Sequence, residues 1–101
     1  MTIVYTTFPT MKTADRVCRQ LVSAHLVGCY VFWPVHSVYW WKKKITATKE
    51  IAVFLKTTRQ NITKVKYRLE KLHPYEAPCI AVISTKQLGV AYAAWLKKGC
   101  L

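Results

Sequence analysis

The chain has 101 residues, 52% of them hydrophobic, and carries a formal net charge of +12 from 16 Lys and Arg against four acids. That length gives a single domain, residues 1–101, able to bury roughly two thirds of its unfolded surface, and the apolar content excludes a disordered chain. No apolar run approaches the roughly 20 residues of a membrane span, and no basic leader with a cleavage site precedes the first strand-like run, so a soluble cytoplasmic protein is expected.

Ile3-Val4-Tyr5-Thr6-Thr7-Phe8 is β-branched and aromatic and predicts a strand that Pro9 ends. Thr10 and Thr13 are candidate caps for a helix reaching about His25. Its stripe is Ala14, Val17, Cys18, Leu21, Val22 and His25, an i, i+3, i+4, i+7 repeat. Gly28 fits just beyond, where a left-handed residue often ends a helix. Cys29 to Trp33 predicts a second strand, which Pro34 marks as an edge or a bend.

A β-ribbon, Val38 to Thr58, then dominates the chain. Val38-Tyr39-Trp40-Trp41 runs out, residues Lys42 to Lys49 form the turn region, and Glu50 to Thr58 returns. Neighbouring strand residues point to opposite faces, so Trp40 and Trp41 cannot both enter the core of one isolated sheet. One of them must cover a second surface.

Thr58 or Asn61 caps a second helix to about Leu72, with Ile62, Val65, Leu69 and Leu72 inward and Lys64, Arg68 and Lys71 outward. His73-Pro74 stops it, because the residue before proline avoids the α region. Cys79 to Ser84 predicts another strand, and a last helix lies between about Leu88 and Lys98, carrying Ala91, Ala94 and Trp95, with Gly99 as its cap. The order β-α-β-β-α-β plus a terminal helix is the ferredoxin-like split arrangement of the α+β class, with the helices on one face. Both parities of the strands are apolar, as in Val4/Tyr5, Val31/Phe32, Val53/Phe54 and Val82/Ile83. A two-layer monomer leaves the second face wet, so an oligomer that hides it is expected.

Several segments together resemble the CutA family of divalent-cation-tolerance proteins. They are Ile3-Val4-Tyr5-Thr6-Thr7-Phe8-Pro9, Tyr39-Trp40-Trp41, Glu50, Leu55-Lys56-Thr57-Thr58, Leu72-His73-Pro74-Tyr75-Glu76-x-Pro78 and Tyr92-x-x-Trp95-Leu96. The resemblance runs from end to end. It implies a homotrimer whose long hairpins reach across to neighbours, much as in PII signalling proteins. It also implies a link to tolerance of copper or another divalent cation, with no catalytic reaction. The family usually shows W-E-G-K where this chain has Trp41-Lys42-Lys43-Lys44, and the acidic stretch before Glu50 is Ile45-Thr46-Ala47-Thr48-Lys49 here.

Candidate site residues follow. Cys29, at a cysteine position similar to the family's, is a soft metal ligand or reactive thiol, or else a small core side chain. His73 is the second metal candidate. It either caps the helix C-terminus or lines a pocket between subunits. Lys56 ends an apolar strand beside a helix start, a place for anion contacts, and Glu50 at the other end suits a basic partner on a neighbour. Trp40, Trp41, Glu50, Lys56, Tyr75 and Trp95 are the pocket or interface candidates. Cys18 and His25 share a helix face, but two ligands do not make a metal site. The four cysteines lack C-x-x-C spacing and read as reduced. No phosphate loop, H-E-x-x-H or nucleophile elbow is present, so no enzyme and no required cofactor are expected. The charge leaves one alternative, a basic module that binds anions or nucleic acid weakly and without sequence reading.

Overall fold

The computed structural model describes every residue, Met1–Leu101. Four strands and three helices follow in the order β1 (Thr2–Phe8), α1 (Met11–Ser23), β2 (Cys29–Trp41), β3 (Lys44–Thr57), α2 (Ile62–Leu72), β4 (Ala81–Ser84) and α3 (Val90–Gly99), a mixed α+β chain. The strands form one antiparallel sheet in the order β2-β3-β1-β4.

Register decides which side chains share a face. β1 and β3 pair Val4 with Leu55, Thr6 with Val53 and Phe8 with Ile51. These alternate residues point toward α1 and α2 and are buried with Ala14, Val17, Cys18, Leu21, Val65 and Leu69. Completely burying Phe8, Leu21 or Leu55 contributes about 1.5–3 kcal/mol each. Strand residues of the other parity, among them Cys29, Val31, Trp33, Phe54 and Lys56, form the opposite, open face.

Five details differ from the sequence reading. First, β2 does not stop at Trp33. It runs through Pro34 to Trp41, and Pro34 is tolerated because β2 is the sheet edge and has a ladder on one side only. Second, the turn is not Lys42 to Lys49 but Lys42 and Lys43 alone, with φ of 50° and 66°. Two left-handed residues make the turn whose twist matches a hairpin, and Ile45, Thr46 and Thr48 continue as strand because they are β-branched. The resulting hairpin stretches the chain to 45 × 25 × 21 Å.

Third, α1 ends at Ser23, and the left-handed residue after it is His25, φ 58°, rather than Gly28. Gly28 is required by close packing instead: a Cβ there would lie 2.7 Å from Leu96 Cδ1. Fourth, Thr10 caps α1 by accepting from the Thr13 N–H at 3.1 Å, but neither Thr58 nor Asn61 caps α2 with its side chain. Asn61 instead donates from Nδ2 to the Leu26 carbonyl at 3.2 Å, tying the loop after α1 to the start of α2. Fifth, α3 leaves the helical layer. Tyr92 Oη meets Lys56 Nζ at 3.4 Å and Cys29 Sγ at 3.8 Å, so α3 sits at one end of the open face. It buries Leu96, while Trp95 stays exposed.

Candidate functional site

The sequence candidates separate into two places. Trp40, Trp41, Glu50 and Tyr75 converge on a cavity of about 520 Å³ also lined by Thr7, Tyr39, Glu76, Ala77 and Cys79. Lys56, Cys29 and Trp95 gather at the α3 end instead, around Tyr92, whose ring lies 5.2 Å from the Trp95 ring. Lys56 lies six positions along β3 from Glu50, about 20 Å along the strand.

Glu50 forms the floor of the cavity. Tyr75 Oη donates to Glu50 Oε1 at 2.8 Å, and the polar side chains of Ser37 and Thr7 lie near the carboxylate and favour its charge. Burial alone would raise the Glu50 carboxyl, but Ser37, Tyr75, Thr7 and the nearby His73 together hold it below its usual 4.5. Burial and the bond to Glu50 push the Tyr75 hydroxyl up, so it remains a donor. The Tyr5 hydroxyl is pushed up by burial first and then by Cys79 and Glu50.

His73 supports this floor from the helix side. Its ring stacks on Phe8 with centroids 4.4 Å apart. Nδ1 accepts from the Tyr75 N–H at 3.2 Å, which leaves the proton on Nε2 to donate to Thr6 Oγ1 at 3.1 Å. Burial is the main cause of its lowered pKa and outweighs the attraction of Glu50. Its backbone N–H closes α2 on the Leu69 carbonyl at 2.9 Å. His73 is the C-cap residue of α2 through its backbone alone, and both ring nitrogens are engaged with Tyr75 and Thr6 rather than with the helix end.

Cys29 and His73 are not brought together: one side chain belongs to the open face, the other packs on Phe8 beneath the helical layer. No three His, Cys, Asp or Glu side chains of one chain are placed to hold a metal ion. Cys18 is fully buried, and burial first, then Asp15, pushes its thiol up to about 12. His25 turns away from it to donate from Nδ1 to the Gly99 carbonyl at 3.2 Å. Sequence reasoning missed Thr7, Tyr39, Cys79 and Tyr92. Thr7 was legible only through register, since its pairing with Ala52 sets it beside Glu50.

A family model described as CutA1 divalent ion tolerance protein matches residues 2–99. The chain belongs to that family. Among relatives of the CutA1 family, the chain is 36% identical over 101 residues to the divalent-cation tolerance protein CutA of Thermotoga maritima, covering both sequences completely. The crystal structure of CutA1 from Pyrococcus horikoshii superposes with a TM-score of 0.97 at 34% identity, covering 100% of this chain and 99% of that one. The PII-like protein CutA from Nostoc sp. PCC 7120 superposes with 0.93 at 33% identity, covering 100% and 98%. The CutA of Archaeoglobus fulgidus, described as periplasmic, superposes with 0.94 at 28% identity over 98% of both. Whatever the compartment here, no helix is long and apolar enough to cross a membrane.

Proposed function

We propose that this chain acts as a homotrimer of ferredoxin-like subunits in tolerance to copper or another divalent cation, without turning over a substrate. The observation that carries the assembly is the open face of the sheet. Val31, Trp33, Trp41 and Ile83 stay between 37% and 45% exposed on the sheet face opposite α1 and α2, with Trp95 of α3 exposed at its end, and an exposed apolar face of this kind marks an interface. The same face holds the cation groups. Two of the chain's four acids, Glu50 and Glu76, line the groove with the exposed thiol of Cys79. Glu50 is held ionised, as a ligand must be. Carboxylate and thiolate suit copper and zinc, and an adjoining copy supplies the coordination that one chain lacks.

Two measurements test this. Light scattering at micromolar concentration is expected to give about three times the 11.7 kDa chain mass. A well-folded single chain sinks the assembly. Copper titration is expected to weaken at least tenfold in Glu50→Gln and in Cys79→Ala. Equal affinity in both variants removes the groove as the site, and a selective loss in Cys29→Ala moves it to the α3 end.

A further inference from the structure

The open face and its groove leave the helical layer unused, and that layer carries a cluster of basic side chains. Arg16 on α1 and Lys64, Arg68 and Lys71 on α2 point outward, with Arg19 beside them. Arg16, Arg19, Lys64 and Arg68 border two adjoining depressions of about 550 Å³ and about 470 Å³ that share Ala24, and no acid lines either one; Lys71 lies outside both, beside Tyr67. Asp15 pairs with Arg19 at 3.0 Å, and this is the one ion pair of the chain. Glu70, the acid of α2, borders neither depression.

The second observation is aromatic. Tyr67 stands among these cations at 62% exposure, with Lys71 Nζ 5.4 Å from its ring centroid. The buried stripes of α1 and α2 face the sheet, so this ring is the apolar element of a basic surface. An anionic membrane would be met by several inserting side chains. A ring flanked by phosphate-binding cations fits a base stacked beside its own backbone.

We propose that the α1–α2 surface binds single-stranded nucleic acid, with Arg16, Lys64, Arg68 and Lys71 on phosphates and Tyr67 stacked on a base. This goes beyond the metal-tolerance reading and uses none of the groups that reading needs. Four phosphate contacts on a single strand predict a salt slope of about −2.8, or roughly a 50-fold loss of affinity between 50 and 200 mM salt.

Fluorescence anisotropy with a labelled single strand of about 20 nucleotides tests it, with a duplex and anionic phosphatidylserine vesicles as competitors. Arg16→Gln/Lys64→Gln/Arg68→Gln is expected to cut the slope to about −0.7. Lys42→Gln/Lys43→Gln/Lys44→Gln, which removes the same charge at the hairpin tip, is expected to leave affinity within about twofold. Tyr67→Ala is expected to weaken binding roughly fivefold or more without changing the slope. All these positions are exposed, and circular dichroism checks the fold. Equal losses in the two triple variants overturn the proposal, because net charge alone then explains binding. Absence of binding at 50 mM salt, or preference for the duplex or the vesicles, overturns it as well.

Discussion

The two halves of the β2–β3 hairpin share one alternation and meet opposite fates. In the base half, Val53 and Leu55 lie under α1 and α2 and are fully buried. In the tip half, Val38, Trp40 and Ile45 occupy the continuing face and are 70%, 71% and 68% exposed. The backbone ladder runs unbroken from Cys29↔Lys56 to Trp41↔Lys44, so pairing does not distinguish the halves. What differs is cover. Hydrophobic pattern states that a face will be hidden, and it does not state which chain hides it. A two-stranded ribbon is marginal in water by itself, so the tip is the part of this fold that the proposed assembly would stabilise most.

The largest expected effect breaks the base. Leu55→Ala removes a completely buried side chain beside Val4 and is expected to cost about 2–5 kcal/mol, read as a lowered denaturation midpoint with an unchanged slope. Glu50 sits where base gives way to tip, and Glu50→Ala comes next, at about 1–2 kcal/mol, because it strips the Tyr75 hydroxyl of its acceptor.

The same corner sets the pH response. His73 has a lowered folded pKa, so the unfolded chain takes up that proton first, and stability falls as pH drops below about 6.5. Glu50, also lowered, contributes above its usual 4.5 and loses that contribution as pH falls through its folded value. Thermal melts are expected to show both losses in order. His73→Gln should flatten the upper one and Glu50→Ala the lower. An unchanged profile in both variants would show that this corner is not what senses acid.

How much of this was legible in sequence follows the same division. The three helices, the buried stripes of α1 and α2 apart from His25, and the Thr10 cap were readable because each depends on neighbours in the chain, whereas α3 buries Leu96 and leaves Ala91, Ala94 and Trp95 exposed. Pro34 announced an edge, but only the strand order explains why β2 continues through it. The αL residue after α1 was misplaced at Gly28 because glycine signals two demands alike, a positive φ and a close approach. Here it answers the second, against Leu96. The groove was half readable. Trp40, Trp41, Glu50 and Tyr75 were marked by type, whereas Thr7 and Cys79 join them through strand pairing and a loop path that periodicity does not encode. The distance of Cys29 from His73 was likewise invisible, since it depends on which face each one takes.

Two smaller effects sharpen the comparison at the tip. Lys43 holds φ 66° with a Cβ, in a turn that glycine enters without that penalty. Lys43→Gly is expected to stabilise by about 1 kcal/mol, measured by chemical denaturation. A loss instead would mean that the lysine is held by a contact beyond its own chain. The smallest effect on the subunit is Trp40→Ala. In one chain this indole lies on open ribbon, so its removal should change subunit stability by no more than about 0.5 kcal/mol. Its effect on assembly should be far larger, because aromatic side chains at the centre of an interface dominate binding. Sedimentation across a concentration series separates the two quantities, since dissociation depends on concentration and unfolding of a lone chain does not. A dissociated but folded variant confirms that the tip is addressed to another copy. An intact assembly that melts at lower temperature would instead make Trp40 part of the subunit's own core, and the two halves of the hairpin would then differ in degree only.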